Sequence, residues 1–331
     1  MRNFIVFLRN WMLPISMGSG ALAYIIYSGI PALHVAGPYL QKTAGVLQPT
    51  LIFIMMFLSF CKISTRELKP HRWHLHVLVA QIGLSVVIAA VILLCPGLGE
   101  NVRVLLESAL LCLICPTATA AAVVTGKLGG NTAGVVSYTV LINIAAAVAV
   151  PVLFPLIQPH EGYGFLNSFM EIIRKVFPML IFPGIAAWLV RHTLPRFHAW
   201  LTGFKDLAFY LWAFSLSLAI AMTTRAIAHG HYPIWILFSI GGVSLLCCIL
   251  QFRLGRAAGR IYGYDKACEV TAGQAFGQKN TVLAIWMAYV FLTPIVSVAG
   301  GFYSIWHNLY NSWQLYRMRK EKARQEAESL R

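Results

Sequence analysis

Residues 115–122 read Cys-Pro-Thr-Ala-Thr-Ala-Ala-Ala, and residues 273–281 read Gly-Gln-Ala-Phe-Gly-Gln-Lys-Asn-Thr. Both stretches interrupt long apolar runs. Pro116 lacks a backbone donor and its ring clashes with the preceding turn, so we expect the helix to kink or break there. A Gln-Lys-Asn sequence inside an apolar run is costly unless it lines a cavity or meets polar partners. The two stretches therefore predict two interrupted helices with polar groups at their breaks.

The composition around these stretches is typical of a membrane protein. Of the 331 residues, 58% are hydrophobic and only 11% are charged, and the mean hydropathy is +0.70. Soluble domains carry about 25% charged residues, so this chain has too few charges to cover a water-facing surface. The net charge of +15 does not indicate nucleic-acid binding, because the basic residues form short clusters between apolar runs. No stretch is long enough for a folded basic domain.

Apolar runs of about 17–25 residues predict ten membrane-spanning helices joined by short loops. We place them near residues 11–30, 44–61, 74–95, 104–126, 132–157, 168–190, 206–227, 233–252, 268–288 and 289–316. We therefore expect an all-α polytopic membrane protein with a single transmembrane domain over residues 1–316. A charged cytoplasmic tail over residues 317–331 is expected to follow it. The first run lacks a clear cleavage site, so we interpret it as a span rather than a signal peptide.

The distribution of basic residues predicts the orientation. With the N-terminus inside, 20 of the 26 Lys and Arg residues fall in inside segments and 5 fall outside. The remaining one, Lys279, is predicted within a span. Cytoplasmic loops are enriched in Lys and Arg, so we expect a multi-pass protein of the cell (inner) membrane with both termini cytoplasmic.

Ten spans divide into two halves of five, and an odd number per half forces the second half to insert upside down. The first repeat would cover about 11–157 and the second about 168–316. The two interrupted stretches then occupy the corresponding fourth and ninth spans, which is the strongest sequence pointer to a transporter site. Half-helix N-termini carry partial positive charge and free N–H groups, which suit an anion. These features predict a carrier of small solutes.

Several stretches resemble motifs of the bile acid:sodium symporter family. Residues 115–119, followed by small residues, resemble its Pro-Gly-Gly-Thr-Ala-Ser-Asn motif. Residues 277–284 resemble its Glu-x-Gly-x-Gln-Asn-Ser-Gly-Leu-Ala motif, and residues 304–308 resemble its Ser-Val-Trp-His-Asn signature in the last span. Pro151 and Pro155 repeat the spaced prolines of the family's fifth helix. The resemblance covers the fourth, fifth, ninth and tenth spans.

The resemblance implies a ten-helix fold with a core domain and a panel domain. Discontinuous helices 4 and 9 would cross at the centre of the core, and the substrate would bind between core and panel. It implies alternating-access transport of a small organic anion of the bile-acid, pantoate-like or sulfonate class, usually coupled to two sodium ions. His307 and Asn308 are expected to brace the last helix near the core.

The sequence departs from the family where sodium would bind. Ala121 and Ala122 replace a Ser-Asn pair, and Lys279 replaces a glutamine. In the fifth span either Thr139 or Asn143 occupies the ligand position. The full set of predicted substrate- or ion-binding residues is Gln81, Thr117, Thr119, Ala121, Ala122, Thr139, Asn143, Gln278, Lys279 and Asn280.

These departures predict that the sodium sites are degraded. Sodium needs several oxygen ligands, and neither interrupted stretch contains an acidic residue. An ammonium on Lys279 would repel a sodium ion by about 4 kcal/mol at 4 Å with an effective dielectric near 20. The acidic residues in or beside spans are expected near span ends: Glu107, Glu171, Asp206 and Glu269. We therefore predict no cofactor and no metal.

We expect the Lys279 ammonium to occupy the place of one sodium ion, donating to Gln81 and to unwound backbone carbonyls. Burial disfavours the charged form of a lysine, so the same group is also expected to allow coupling of transport to protons. The alternative is that Lys279 extends to water and merely tethers the broken helix, or attracts the anionic substrate.

Other function classes are alternatives to transport. A regulatory homologue that has lost transport fits the altered sodium site. An intramembrane enzyme would need a nucleophile–base pair or a carboxylate or His cluster, and the spans hold no such constellation, so we predict no enzyme. The expected partners are a small organic anion and the lipid bilayer, without nucleic acid, and the sequence leaves the oligomeric state open.

Overall fold

The computed structural model describes residues 11–63, 68–159, 164–204, 206–263 and 265–329. These residues form thirteen α-helices, with 3-10 turns at Pro31–Ala36 and Pro294–Val296. The helices are α1 Met12–Gly29, α2 Gly37–Cys61, α3 Arg72–Leu94, α4 Glu100–Ile114, α5 Ala121–Lys127, α6 Thr132–Ile157, α7 Phe165–Thr193, α8 Pro195–Gly203, α9 Leu207–His229, α10 Ile234–Tyr262, α11 Lys266–Gly277, α12 Thr281–Phe291 and α13 Ser297–Ser329.

Six of these helices are long and apolar enough to cross a membrane, judged by length and composition. They are α2 with the 3-10 turn before it, α3, α6, α7, α9 and α10. The prediction of an all-α, multi-pass membrane protein is therefore confirmed for the described residues. The ten-span count and the inverted repeat stay predictions.

The arrangement of side chains on α10 explains why these helices need lipid around them. Phe238 and Leu246 are 73% and 68% exposed, whereas Ser244 and Gln251 are fully buried. A soluble helix would bury the first pair and expose the second. In a bilayer the apolar face is outside and the polar side chains find partners inside the bundle.

Two span boundaries differ from the prediction near the C-terminal end. The predicted division between residues 288 and 289 is wrong, because α12 continues to Phe291 and α13 begins only at Ser297. Pro294 opens the 3-10 turn between them. The apolar composition continues through this turn, so averaged hydropathy gives no signal for it. The predicted tail segment continues α13 without a break as far as Ser329.

Close backbone contact joins α10 to α11. An ideal Cβ built on Gly255 would lie 2.5 Å from the carbonyl oxygen of Ala272, and one built on Gly259 would lie 2.5 Å from that of Cys268. Both distances are shorter than any van der Waals contact, so only glycine fits. The spacing Gly-x-x-x-Gly is the pattern that brings membrane helices together. These contacts fix the position of α11 against α10, and therefore also the position of the break that follows α11 at residues 278–280.

Candidate functional site

Two helix breaks meet and pair with each other. The chain leaves helical geometry between α4 and α5 and again between α11 and α12. The backbone N–H of Ala118 donates to the carbonyl of Gln278 at 3.1 Å, and that of Asn280 donates to the carbonyl of Pro116 at 2.9 Å. These two bonds form an antiparallel bridge centred on Thr117 and Lys279. Each break thus supplies hydrogen bonds that the other lost when its helix ended, as non-helical backbone at membrane depth requires.

Side chains of the two breaks reinforce this pairing. The hydroxyl of Thr117 donates to the carbonyl of Ala275 at 2.6 Å, and the thiol of Cys115 donates to the carbonyl of Asn280 at 3.1 Å. Asn280 caps α12, because its Oδ1 accepts from the N–H of Leu283 at 3.3 Å. The sequence therefore provides both the breaks and the groups that hold them.

Side chains from three other parts of the fold satisfy carbonyls freed at the end of α4. Gln251 Nε2 donates to the carbonyl of Cys112 at 3.2 Å, and Gln81 Nε2 donates to that of Cys115 at 2.9 Å. Lys279 Nζ lies 3.5 Å from the carbonyl oxygen of Leu113. The C-terminal end of a helix carries partial negative charge, which favours a cation at this point.

Lys279 is 1% exposed and is among the largest fully buried side chains. Its ammonium lies 5.1 Å from the centre of the Phe276 ring, within range of a cation–π interaction. Four buried cysteines lie near it: Cys112, Cys115, Cys247 and Cys248. No ion pair joins Lys279 to a carboxylate within the ranges that the structure describes.

The expected hydrogen bond between Lys279 and Gln81 is not formed. The Gln81 amide is already engaged, because it donates to Cys115 and its Oε1 accepts from the Tyr138 hydroxyl at 2.8 Å. Lys279 reaches Leu113 instead. Both side chains thus hold the end of α4, but through separate carbonyls.

The sequence put Glu107 near a span end, and the structure places it beside two helix ends, at Gln158 after α6 and at Thr293 after α12. It lies within α4 and is completely buried. Its Oε1 accepts from Arg103 at 3.3 Å and from Gln158 Nε2 at 2.8 Å. Among the described residues it is the only buried carboxylate. It lies about 9 Å along the helix axis from Leu113. It is committed to these partners rather than to the crossing.

The two alternatives in the fifth predicted span differ in their surroundings. The Thr139 hydroxyl donates to the carbonyl of Val135 at 2.9 Å, one turn earlier in α6. Asn143 is 2% exposed, and neither atom of its amide has a hydrogen-bond partner among the described residues. A buried unsatisfied amide is rare in proteins. Asn143 therefore has free polar groups and Thr139 does not.

Asn143 lines a cavity of about 310 Å³ between α2, α6 and α7. Its walls are mostly aliphatic and aromatic side chains, including Phe60 and Trp188. Among the described residues that line it, Arg191 is the only charged one, and its guanidinium donates to the carbonyl of Ile63. The cavity thus combines apolar walls with one amide and one fixed cation.

The other predicted residues lie around the crossing in different roles. Ala121 is buried at the start of α5, whereas Thr119 and Ala122 are partly exposed. The Gln278 amide donates to Gln274 Oε1 on α11. His307 Nδ1 accepts from the backbone N–H of Lys279 at 3.5 Å. Asn308 Nδ2 donates to the carbonyl of Ser304 in its own helix.

Two residues at the crossing were missed by the sequence. Gln251 holds the end of α4, and the Tyr303 hydroxyl donates to the carbonyl of Gly277 at 2.8 Å. Gln251 also donates to that hydroxyl at 3.1 Å. A glutamine within the apolar run over 233–252 is the signal that could have found it. Averaging hydropathy over a whole span hides such a residue.

Thr117→Val tests the contacts that hold the breaks. We expect it to lower the free energy of unfolding by about 1–3 kcal/mol, because the buried carbonyl of Ala275 loses its side-chain donor. Thermal unfolding of the purified protein in detergent measures the change. Thr119→Val is the matched control, since Thr119 is partly exposed and should change stability little. Equal effects of both substitutions would contradict the role of the Thr117 hydroxyl.

The sequence model of the SBF-like CPA transporter family matches residues 11–315. The match includes both helix breaks, Lys279 and all residues that line the cavity. No curated protein matches the chain.

Proposed function

The chain belongs to the SBF-like CPA transporter family, and from this premise we propose that it carries small organic anions across the membrane by alternating access. Membership makes it a membrane transporter, which is the predicted class, and the family is related to the bile acid:sodium symporters. The cavity lined by Asn143 and Arg191 is the observation that supports an organic anion as the substrate. It lies against α6, which contacts the interrupted segments α5 and α11.

The chemistry of this cavity favours a small anion with an apolar body. A guanidinium recognises carboxylates and sulfonates through charge-assisted hydrogen bonds, and the amide of Asn143 supplies a neutral donor. The volume of about 310 Å³ lies at the low end of small-molecule sites, which span roughly 300–1,000 Å³. We therefore favour a pantoate-like or sulfonate substrate over a bile acid.

The proposed topology counts ten spans. Six of them are the long apolar helices, and α1 and α13 are two more. The remaining two are the interrupted spans, which consist of α4 with α5 and of α11 with α12. The two interrupted spans would belong to corresponding positions of two inverted repeats and would cross in the core domain. The charge distribution supports the inner membrane with both termini in the cytoplasm.

The proposed ion coupling differs from that of a two-sodium symporter. Ala121 and Ala122 offer no side-chain oxygens, and the ammonium of Lys279 occupies the crossing, where it contacts a backbone carbonyl. We propose that this tethered cation replaces one sodium ion. Coupling to protons through the same group is the alternative, and the Lys279 variants described in the Discussion distinguish the two.

Asn143→Leu is expected to weaken anion binding while raising stability. The substitution removes an unsatisfied buried amide, whose burial costs about 1–3 kcal/mol, so the protein should unfold at a higher temperature. The same change removes a donor from the cavity, so a pantoate or alkylsulfonate ligand should bind more weakly. Ligand-induced thermal stabilisation of the purified protein measures both effects. Lower stability with unchanged binding would contradict the placement of this amide in the anion site.

Arg191→Gln is expected to weaken binding of the same anions by about tenfold or more, since a hydrogen bond to a charged group is worth about 1.5–3 kcal/mol. Arg196→Gln is the matched control, because it removes the same charge from an exposed position of α8. Dissociation constants from titration give the comparison. Equal losses in both variants would indicate general attraction by surface charge and would contradict a direct contact. A bile acid is expected to bind more weakly than pantoate.

A further inference from the structure

A second cavity, separate from the one already described, lies between α10, α11 and α13. It is a groove of about 650 Å³. Its lining combines three arginines of α10 with two aromatic residues of α13: Arg253, Arg256, Arg260, Tyr310 and Trp313. The proposed anion transport does not use this groove.

The three arginines form one positively charged face. Their spacing of three and four residues puts them on the same side of α10. Arg256 donates to Gln314 Oε1 at 2.7 Å, and Arg260 pairs with Glu269 at 3.1 Å. Arg253 is exposed and has no ion-pair partner in the described part of the chain. Three guanidinium groups face one carboxylate, so the groove retains net positive charge.

The surroundings of this face are those of a membrane boundary. Trp313 is 47% exposed, and aromatic residues of this kind concentrate where hydrocarbon meets headgroups. Towards the apolar part of α10 the groove continues over Ile249, next to the exposed side chains of Leu246 and Leu250. A ligand that fills the groove therefore meets cations at one end and an apolar wall at the other.

We propose that this groove binds an anionic phospholipid, with its phosphate against Arg253, Arg256 and Arg260 and an acyl chain along Ile249. Basic pockets between transmembrane helices on the cytoplasmic side bind anionic headgroups. A free phosphate would match the arginines but would leave the apolar wall unused. The like charges of the arginines repel one another along the helix, and a bound phosphate removes that repulsion.

The lipid site is connected to the crossing by a chain of hydrogen bonds. Gln314 Oε1 accepts from Arg256 and also from Gln274 Nε2 at 3.4 Å. Gln278 donates to Gln274 Oε1, and the carbonyl of Gln278 pairs with Ala118 in the bridge. A phosphate that draws Arg256 towards the groove alters the first bond of this chain. A lipid that binds the folded protein and not the unfolded chain shifts the equilibrium towards the folded state, so lipid binding is expected to stabilise the protein.

The test is a titration of the full-length protein, purified in detergent, with phosphatidylglycerol and with phosphatidylcholine. Native mass spectrometry counts bound lipids, and thermal unfolding reports stabilisation. We expect phosphatidylglycerol alone to bind and to raise the unfolding temperature. A variant with Arg253→Gln and Arg260→Gln should bind it at least about tenfold more weakly, because each charge-assisted hydrogen bond is worth about 1.5–3 kcal/mol.

The matched control carries Arg319→Gln and Lys320→Gln, which remove two charges from exposed positions of α13 outside the groove. This control should bind phosphatidylglycerol as the wild type does. An equal loss in both variants would overturn the proposal in favour of unspecific charge attraction.

Titration with glycerol 3-phosphate and with inorganic phosphate distinguishes a lipid site from a free-phosphate site. If either binds as tightly as phosphatidylglycerol, the groove is a free-phosphate site and the lipid assignment is wrong. The readout is binding, so the result is independent of the transport proposal.

Discussion

Replacing Lys279 with glutamine is expected to reduce uptake into proteoliposomes by about tenfold or more, since the hydrogen bond to a charged group that it removes is worth about 1.5–3 kcal/mol. The ammonium is 1% exposed and contacts the carbonyl of Leu113 at the end of α4. A glutamine side chain is shorter and neutral, so it neither reaches this carbonyl nor balances its partial charge. Uptake of pantoate, measured with and without sodium and a pH gradient, gives the result.

Lys279→Arg separates the two proposed modes of ion coupling. Arginine stays protonated in proteins, so a fixed cation is retained but a proton can no longer be released. If Lys279 is a tethered replacement for sodium, the arginine variant should keep most of the uptake. If Lys279 carries the proton, this variant should lose uptake driven by a pH gradient.

Lys127→Gln is the matched control, because Lys127 is an exposed lysine at the end of α5, outside the pair of helix breaks. It should transport as the wild type does. The resemblance to the bile acid:sodium symporters aligns a glutamine with Lys279, so a sodium response gained by Lys279→Gln would support the proposed replacement. Unchanged uptake, unchanged pH dependence and no sodium response in Lys279→Gln would refute the role of this lysine.

Gly255→Ala is expected to destabilise the protein by about 1–3 kcal/mol or more, which is the usual cost of overpacking. The new methyl group would lie 2.5 Å from the carbonyl oxygen of Ala272 and 2.9 Å from the Cα of Gly273. Both are backbone atoms, so no side chain can rotate away and α10 must separate from α11. Gly259→Ala should behave alike, because its methyl would lie 2.7 Å from the Cα of Glu269.

Gly242→Ala on the same helix is the control for this pair. An ideal Cβ at Gly242 has no neighbour within 4 Å, and alanine is a better helix former than glycine by about 1 kcal/mol. This variant should therefore be as stable as the wild type or more so. Fluorescence-detected size exclusion after heating compares the three proteins. If Gly255→Ala survives heating as well as Gly242→Ala does, the close packing of α10 against α11 is contradicted.

The sequence predicted the ends of a helix well where a capping residue, a proline or a polar run marks them. The predicted span over 132–157 coincides with α6, which Asn131 caps by accepting from Gly134 at 3.1 Å. Both helix interruptions follow from Pro116 and from the polar run around Lys279. The turn at Pro294 was missed because its surroundings are as apolar as the spans. The short helix α8 was also not predicted, because it is too short to give an apolar run.

The contacts within the site were less predictable than its location. That Lys279 needs backbone carbonyls follows from its polarity in an apolar span. That it reaches Leu113 while Gln81 reaches Cys115 depends on how three distant segments pack, which no local pattern encodes. Tyr303 and Gln251 were missed for the same reason. The roles of Thr139 and Asn143 in binding stay predictions, although only Asn143 has free polar atoms.

The pairing of the two breaks also has a consequence for biosynthesis. Thr117 and its partner Ala275 are 158 residues apart in the chain. At about 5–20 residues per second, a ribosome needs roughly 8–30 s to make that intervening length. During this interval the first break has emerged without the segment that satisfies its backbone. The nascent chain must therefore shelter Pro116 and Ala118 from lipid until the second half arrives, which makes this the step at which insertion machinery or a chaperone would be needed.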